Sequence, residues 1–92
     1  MIRSKKIKDS ARGEDCALRV SDYCQDGETV IFAHLNTVYR GVGIKSPDLF
    51  GCYCCHACHL LLDASKVSCE DQLRALIETQ VKLYRKELIQ VK

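Results

Sequence analysis

The strongest hydrophobic pattern in the chain lies near its C-terminus, where large apolar residues recur every three or four positions. They are Leu73, Leu76, Ile77, Val81, Tyr84 and Leu88. This period places apolar side chains on one face of an α-helix. Ser68, followed by Glu70 and Asp71, supplies a typical N-terminal cap with negative charge in the first turn. The pattern predicts a helix over about residues 69–90 whose apolar face covers the core.

A shorter alternating pattern in the middle of the chain predicts two strands. Residues 29–35 are rich in β-branched and aromatic side chains, and a period of two puts Val30, Phe32 and His34 on one face. Residues 49–55 are the second strand candidate. The two strands are expected to pair as a hairpin, with the histidine at the end of the first.

The segments around this hairpin complete the predicted motif. Residues 36–48 contain two glycines and the only proline, which is typical of a long loop. A short helix is expected after the second strand and through about Asp63, so that a ββα motif spans about residues 28–65. Residues 14–24 are expected to form a short strand or turn that carries two cysteines.

The length of the chain limits the core that it can form. A chain of 92 residues is expected to be one small α+β domain with a marginal hydrophobic core, for which a bound metal is a common support. No segment approaches the roughly 18 apolar residues of a membrane span. The first residues lack the apolar stretch of a secretory signal. We therefore expect a soluble cytoplasmic protein, in which cysteines bind metal more often than they form disulfides.

Charge is distributed unevenly along the chain, although the net charge is only +2. Residues 1–12 form a basic N-terminal arm, and residues 13–92 the single domain. Such an arm is either a solvated terminus or a contact for nucleic-acid phosphates. The candidate phosphate-binding residues of the arm are Lys5, Lys6, Lys8 and Arg12.

The cysteine spacing predicts a structural zinc site. Cys55 and Cys58 form a C-x-x-C turn, which lets two thiolates bind one tetrahedral zinc, and Cys16 and Cys24 are the distant pair that completes four ligands. A redox-active Cys55/Cys58 pair is the alternative, but the βαβ context of thioredoxin-like proteins is absent. The other cysteines are expected to be small buried apolar residues. They are Cys52, Cys54 and Cys69.

A second set of residues has the chemistry of phosphodiester hydrolysis. This reaction needs a base for water, a cation for the developing charge and a positive group on the phosphate. Imidazole suits the first task, so His34 is the candidate base. His59 and Asp63 are candidate ligands of a catalytic divalent cation, because i,i+4 spacing puts them on one helix face. Lys45 is the candidate positive group.

Several motifs in fixed order resemble a known group of enzymes. They are Cys16-x7-Cys24, Ala33-His34-Leu35, Gly41-Val-Gly-Ile-Lys-Ser-Pro-Asp48-Leu49 and Cys55-x-x-Cys58-His59-x-x-x-Asp63. Together they resemble the HNH, or ββα-metal, endonuclease superfamily, and more closely the small prophage-encoded YbcO family. The resemblance covers about residues 5–65.

The resemblance implies a role for individual residues. A histidine near the end of the first strand is the general base in HNH enzymes, which matches His34. In these enzymes the histidine directly after the second cysteine of the C-x-x-C turn binds the catalytic metal, which matches His59. The flanking cysteines hold a structural zinc. Asp48 is the candidate for the orienting polar residue of the signature, and Asn36 is a weaker one.

One position departs from the HNH pattern. Many HNH sequences carry an acidic metal ligand immediately before the base, whereas this chain has Ala33. Either Asp63 or Asp48 replaces that ligand, or the metal site is weak. His56 has no role in the pattern and is expected to be exposed, or to replace a cysteine on zinc in a variant site.

The resemblance therefore implies a zinc-stapled endonuclease that hydrolyses DNA with a divalent cation such as Mg²⁺, Mn²⁺, Ni²⁺ or Zn²⁺. The main alternative is a non-catalytic zinc-binding module that binds nucleic acid. A protein-interaction adaptor is a further alternative, in which the C-terminal helix forms a homodimer seeded by Ile89 and Val91.

Overall fold

A two-stranded antiparallel sheet and three helices make up the described part of the chain. The computed structural model describes residues 5–35 and 48–90. In chain order the elements are α1 (Lys5–Asp9), β1 (Ile31–His34), β2 (Gly51–Cys54), α2 (His56–Asp63) and α3 (Cys69–Arg85), with a 3₁₀ turn at Asp48–Phe50 before β2. This α+β order confirms the predicted strand, strand, helix and long helix. None of the helices within these residues is long and apolar enough to cross a bilayer.

The hairpin fixes where the two strands end. β1 and β2 pair with Ile31 opposite Cys54 and with His34 opposite Gly51. All four residues of β2 are buried, whereas β1 runs from exposed Ile31 to half-buried His34. The last residue of β1 therefore lies beside the first residue of β2. Residues 36–47, which belong to the predicted loop, lie outside the described residues.

The outer edge of β2 is closed by a side chain and a loop rather than by a third strand. The buried Tyr53 N–H donates to Thr79 Oγ1 at 3.1 Å, and the Ala17 N–H donates to the Tyr53 carbonyl oxygen at 2.7 Å. Buried main-chain groups need such partners, and a two-stranded sheet cannot supply them on this edge. Tyr53 is thus held between α3 and the loop that carries Cys16.

The predicted cap of α3 is confirmed, and its end is earlier than expected. Ser68 is the N-cap, and its Oγ accepts a hydrogen bond from the Asp71 N–H at 3.1 Å. The helix ends at Arg85, with Lys86 as C-cap and Glu87 in the left-handed region at φ 61°. It packs against β2, so the predicted position of the long helix behind the hairpin is correct.

The predicted core face of α3 is wrong. The buried side chains of the helix are small or polar with one exception, and they are Gln72, Ala75, Thr79 and Leu83. The large apolar residues of the sequence pattern are mostly exposed, with 42–57% of each surface accessible, and they are Leu73, Ile77, Val81 and Tyr84. Only Leu76 and Leu88 pack partly against the core.

Hydrogen bonding explains why this face is buried. Thr79 binds the Tyr53 N–H, Gln72 Nε2 donates to the Val67 carbonyl oxygen at 3.1 Å, and Gln80 Nε2 donates to the Leu49 carbonyl oxygen at 2.8 Å. A buried main-chain group without a hydrogen-bond partner lowers the stability of the fold. The face of α3 that carries these polar side chains therefore turns inward and supplies the partners.

The N-terminal arm contains an additional helix that the sequence pattern did not predict. Ile7 of α1 and Ala11 are buried, and α1 packs against β1. Ser10 anchors the end of α1, because its Oγ donates to the Ile7 carbonyl oxygen at 2.6 Å and lies 2.8 Å from the Tyr53 hydroxyl. Residues 5–12 are therefore held against the domain rather than frayed from it.

Candidate metal centre and active site

Four cysteine sulfurs from two distant parts of the chain meet in the interior. The Sγ atoms of Cys16, Cys24, Cys55 and Cys58 all lie within 4.8 Å of one another. Three of the residues are buried and Cys24 is half-buried. Within residues 5–35 and 48–90, this is the one group of three or more potential metal ligands. These are the same four cysteines that the sequence assigns to a structural zinc.

Local backbone geometry directs both pairs of sulfurs to one place. Cys55 is the N-cap of α2, and its Sγ accepts the Cys58 N–H at 3.5 Å. The Cys55 N–H in turn donates to Cys16 Sγ at 3.3 Å. Arg19 lies in the left-handed region at φ 50°, which turns the chain sharply after Cys16. This turn lets Cys16 and Cys24 supply their sulfurs to one site, although their separation in sequence is unusually wide for a ligand pair.

Hydrogen bonds and burial shift the acidity of the sulfurs in opposite directions. The pKa of Cys16 is lowered to about 4, chiefly because the Cys54 thiol hydrogen-bonds its sulfur, with help from backbone N–H groups. Burial, followed by the neighbouring Cys16 sulfur, raises the pKa of Cys24. Burial also raises the pKa of Cys58. Cys16 is therefore ready to bind a cation as a thiolate, whereas Cys24 and Cys58 release protons on binding.

The donor set suits a tetrahedral zinc ion. With Zn–S bonds of about 2.3 Å, the sulfurs of a regular tetrahedral site are about 3.8 Å apart. Four sulfurs already within 4.8 Å need only small shifts to reach that arrangement. All seven cysteines are free, so no disulfide competes for these sulfurs. The cluster can therefore hold a metal ion.

The remaining cysteines divide into two buried residues and one exposed residue. Cys52 and Cys54 are fully buried on β2, as predicted, and burial raises the pKa of Cys52 to about 12. Cys54 also supports the cluster, because its thiol hydrogen-bonds the Cys16 sulfur and its own sulfur lies 3.3 Å from the Cys55 carbonyl oxygen. The prediction for Cys69 is wrong, since it is exposed as the first residue of α3, where the N-terminus faces solvent.

Helix α2 presents two different faces. Cys58 and Leu62, four residues apart, are buried towards the sulfurs and the core. His59 and Asp63 lie one position further round the helix and are partly exposed, with His59 Nε2 3.4 Å from Asp63 Oδ2. The predicted shared face of His59 and Asp63 is therefore present. Because Cys55 and Cys58 lie in the first turn, the sulfur cluster fixes the helix that carries this pair.

His34 lies at the other end of the hairpin strand β1. Its ring is half-buried and meets the ring of Phe32 edge-on, with centroids 5.9 Å apart. Gly51 is required opposite His34, because a Cβ there would lie 2.3 Å from Phe32 Cε2. Ala33, the position where many HNH sequences carry an acidic ligand, is buried opposite Cys52. The chain therefore offers no carboxylate at that position.

Comparison with known proteins now gives the family. A family model described as "Putative nuclease YbcO" matches residues 5–90. The chain belongs to the YbcO family. A solved structure described as a putative bacteriophage protein from Escherichia coli str. K-12 substr. MG1655 is 28% identical, with a TM-score of 0.66. The match covers 87% of this chain and 98% of that one. No curated protein matches the chain significantly.

Other predicted site residues of this YbcO-family chain are only partly within the described structure. Lys45 and Asn36 lie outside the described residues. The backbone of Asp48 begins the 3₁₀ turn before β2, and nothing is described of its side chain. His56, which begins α2, is exposed as predicted. The basic residues of the arm that lie on α1 or just after it are all exposed, and they are Lys5, Lys6, Lys8 and Arg12.

Three residues of this YbcO-family chain that support the sulfur cluster were missed from the sequence. Besides Cys54, Asp26 Oδ1 accepts the Cys16 N–H at 2.8 Å. Arg74 donates to the carbonyl oxygens of Ala17 and Leu18 at 2.7 and 2.6 Å, which ties α3 to the loop that carries Cys16. The Asp26-Gly27 turn was the available signal for the first contact, but no local pattern marks Arg74 as a loop anchor.

Proposed function

We propose that this protein is a metal-dependent endonuclease that hydrolyses DNA phosphodiester bonds on an HNH-like ββα-metal core. The observation that carries the proposal is the arrangement of α2. One turn of this helix bears two members of a four-cysteine cluster, and the adjoining face presents a histidine and a carboxylate to solvent. Membership of the YbcO family supports a nuclease-like function.

In this proposal the four-cysteine cluster holds a structural zinc ion. A domain of 92 residues has a stability of only about 5–14 kcal/mol. Structural zinc in small domains contributes a comparable amount, about 10–16 kcal/mol. Zinc binding would therefore determine whether the loop after Cys16 and the first turn of α2 stay folded.

The proposed chemistry uses His34, His59 and Asp63 in separate roles. His34, half-buried at the end of β1, accepts the proton of the attacking water. His59 and Asp63 are the proposed ligands of a divalent cation. Such a cation supplies charge neutralisation at the phosphate and the leaving oxygen. Lys45 and Asp48 are proposed to bind the phosphate and to orient the reacting groups.

The charge of the arm supports DNA as the substrate. α1 carries three exposed lysines, and Arg12 follows it. None of these four residues has an ion-pair partner among the described residues. α1 itself packs on β1, the strand that ends at His34. Contacts of this kind are made to phosphates and carry no base information, so cleavage without sequence specificity is expected.

The test is cleavage of plasmid DNA by purified protein with Mg²⁺, Mn²⁺, Ni²⁺ or Zn²⁺. His34→Ala is expected to reduce the rate by about 10²–10⁴-fold, which is the usual contribution of a general base. His59→Ala is expected to abolish the metal-dependent activity. His56→Ala is the matched control, because His56 is exposed on the same helix and has no proposed role. Zinc content should be unchanged in all three variants, and thermal melting shows that each variant is folded at the assay temperature.

The possible outcomes separate the rival functions. Cleavage that survives His34→Ala would remove His34 from the role of base. Absence of cleavage with every metal, together with DNA binding in a gel-shift assay, would favour the non-catalytic zinc module. The buried Ala33 favours this second candidate, because an acidic ligand expected of many HNH enzymes is missing there.

A further inference from the structure

The solvent face of α3 carries a continuous apolar stripe. We define this stripe as Leu73, Ile77, Val81 and Tyr84. The spacing of four, four and three residues places all four side chains on one side of the helix. They extend over about 16 Å along its axis. Single exposed apolar residues are ordinary, but a continuous row of them marks an interaction surface.

The stripe lies opposite the face that α3 buries. Ala75, Thr79 and Leu83 face β2, about half a turn away from Ile77. The stripe is therefore not part of the core, and it does not belong to the proposed nuclease site on α2. Its most hydrophobic positions are free to contact another molecule.

Charged residues at the two ends of the stripe indicate which molecule fits. Glu70 precedes the stripe and Arg85 follows it, on the exposed part of the helix. Neither residue has an ion-pair partner among the described residues. Their positions are symmetric about Ile77 and Glu78, the middle of the stripe. Two antiparallel copies of α3 would therefore place Glu70 of each copy opposite Arg85 of the other.

The same arrangement matches the apolar residues. About a twofold axis near Ile77, the two Ile77 side chains meet, and Leu73 of each copy faces Val81 and Tyr84 of the other. Parallel helices would instead place like charges opposite each other at both ends, which opposes association. We propose that the stripe is the contact surface of a homodimer, in which two α3 helices pack antiparallel about a twofold axis at Ile77.

The flank of the stripe adds little penalty to this contact. Arg74 and Glu78 lie along one side, and Arg74 Nη1 is 2.8 Å from Glu78 Oε2. Arg19 binds the same carboxylate at 2.9 Å. Because these charges are already paired within one chain, the second copy does not have to neutralise them. The proposed contact lies along α3, whereas the homodimer that the sequence suggested was seeded by Ile89, which packs partly against the core, and by Val91, which lies outside the described residues.

The first test is sedimentation equilibrium of the zinc-loaded protein over roughly a hundredfold range of concentration. The wild type is expected to change from monomer to dimer. Ile77→Glu is expected to weaken the dimer by about 30-fold or more, as a substitution at the centre of an interface does. Leu60→Glu is the matched control, because Leu60 is 59% exposed on α2, close to the 54% of Ile77. A wild type that stays monomeric, or a dimer unaffected by Ile77→Glu, would overturn the proposal.

Charge reversal tests the antiparallel direction. Glu70→Arg and Arg85→Glu are each expected to weaken the dimer, because each places like charges opposite each other. The double variant Glu70→Arg/Arg85→Glu is expected to recover most of the lost affinity, since it restores the pairing with the signs exchanged. If the double variant lost as much dimer affinity as the two single variants lose together, the antiparallel pairing would be refuted. Circular dichroism melts, recorded with each variant, show that α3 remains folded.

Discussion

The contact between Thr79 and Tyr53 decides which face of α3 is buried, and it can be tested by one isosteric change. Thr79→Val keeps the volume of the side chain but removes the oxygen that accepts the Tyr53 N–H. Both residues are fully buried, so water cannot replace the lost acceptor. An unsatisfied buried N–H costs about 1–3 kcal/mol. For a domain of this size, each kcal/mol lowers the melting temperature by about 4–8 °C.

A second variant separates the hydrogen bond from the packing. Thr79→Ser keeps the oxygen and loses one buried methyl group, for which we expect about 1 kcal/mol. Thr29→Val is the control for the chemical change itself. Thr29 Oγ1 also accepts a backbone N–H, from His56 at 3.5 Å, but at an exposed position where water can substitute. We expect it to cost about 0.5 kcal/mol or less.

The assay is thermal unfolding followed by circular dichroism, together with amide hydrogen exchange. Thr79→Val should be the least stable of the three variants, and the Tyr53 amide should lose protection in it but not in Thr79→Ser. If Thr79→Val were as stable as Thr79→Ser, the hydrogen bond would not be the reason for the buried face of α3. The explanation of the exposed stripe would then fail with it.

Two further predictions concern the metal cluster and pH. Purified wild type should contain one zinc per chain by atomic emission. Cys58→Ala should lose the zinc and unfold at a much lower temperature. Cys52→Ala should keep the zinc, because Cys52 is also fully buried but lies outside the cluster. Equal zinc content in the two variants would contradict the assignment of Cys58 as a ligand. Lys86 Nζ lies 2.6 Å from Glu14 Oε2, and this hydrogen bond is the main cause that lowers the pKa of Glu14. Glu14→Gln should therefore cost about 0.5–1 kcal/mol at neutral pH. A carboxyl group whose pKa is lowered by folding stabilises the fold at pH values above its pKa in the unfolded chain. This stabilisation is lost as the pH falls through the pKa of the group in the folded protein. The difference in melting temperature between wild type and Glu14→Gln should thus disappear in acid, and a difference that persisted there would refute the ion-pair explanation.

Much of the fold could be predicted because it is determined by local sequence. The alternation around Phe32 and the cap at Ser68 each specify an element within a few residues, and both elements are present. The C-x-x-C turn at Cys55 and Cys58 likewise defines half of the cluster locally. The pairing with Cys16 and Cys24 followed from counting ligands, and the structure brings these sulfurs together.

The side of α3 that is buried could not be predicted from its hydrophobic pattern. The pattern identifies the most apolar face, and in a small domain that face usually covers the core. Here the buried face is chosen by hydrogen bonds to main-chain groups of β2 and of loops, such as the one between Thr79 and Tyr53. These partners are distant in sequence, so no local pattern reveals them.

α1 and the exposure of Cys69 were missed for a different reason. The five residues of α1 contain three lysines, one aspartate and a single buried apolar residue, Ile7, which is too little for a periodic signal. Cys69 is a residue type that is usually buried, but its place at the N-terminus of α3 exposes it. In both cases the tertiary position overrides the local tendency.

The closed outer edge of β2 also limits how other chains can associate with this protein. An open strand edge is a template on which a peptide or a second copy can add a strand, and such additions can continue into aggregates. At Tyr53, both main-chain groups on this edge are already bound, to Thr79 and to the Ala17 N–H. Strand addition there would require α3 and the Cys16 loop to detach together. A foreign chain that reaches Tyr53 from this side therefore meets α3 and the Cys16 loop rather than a free backbone.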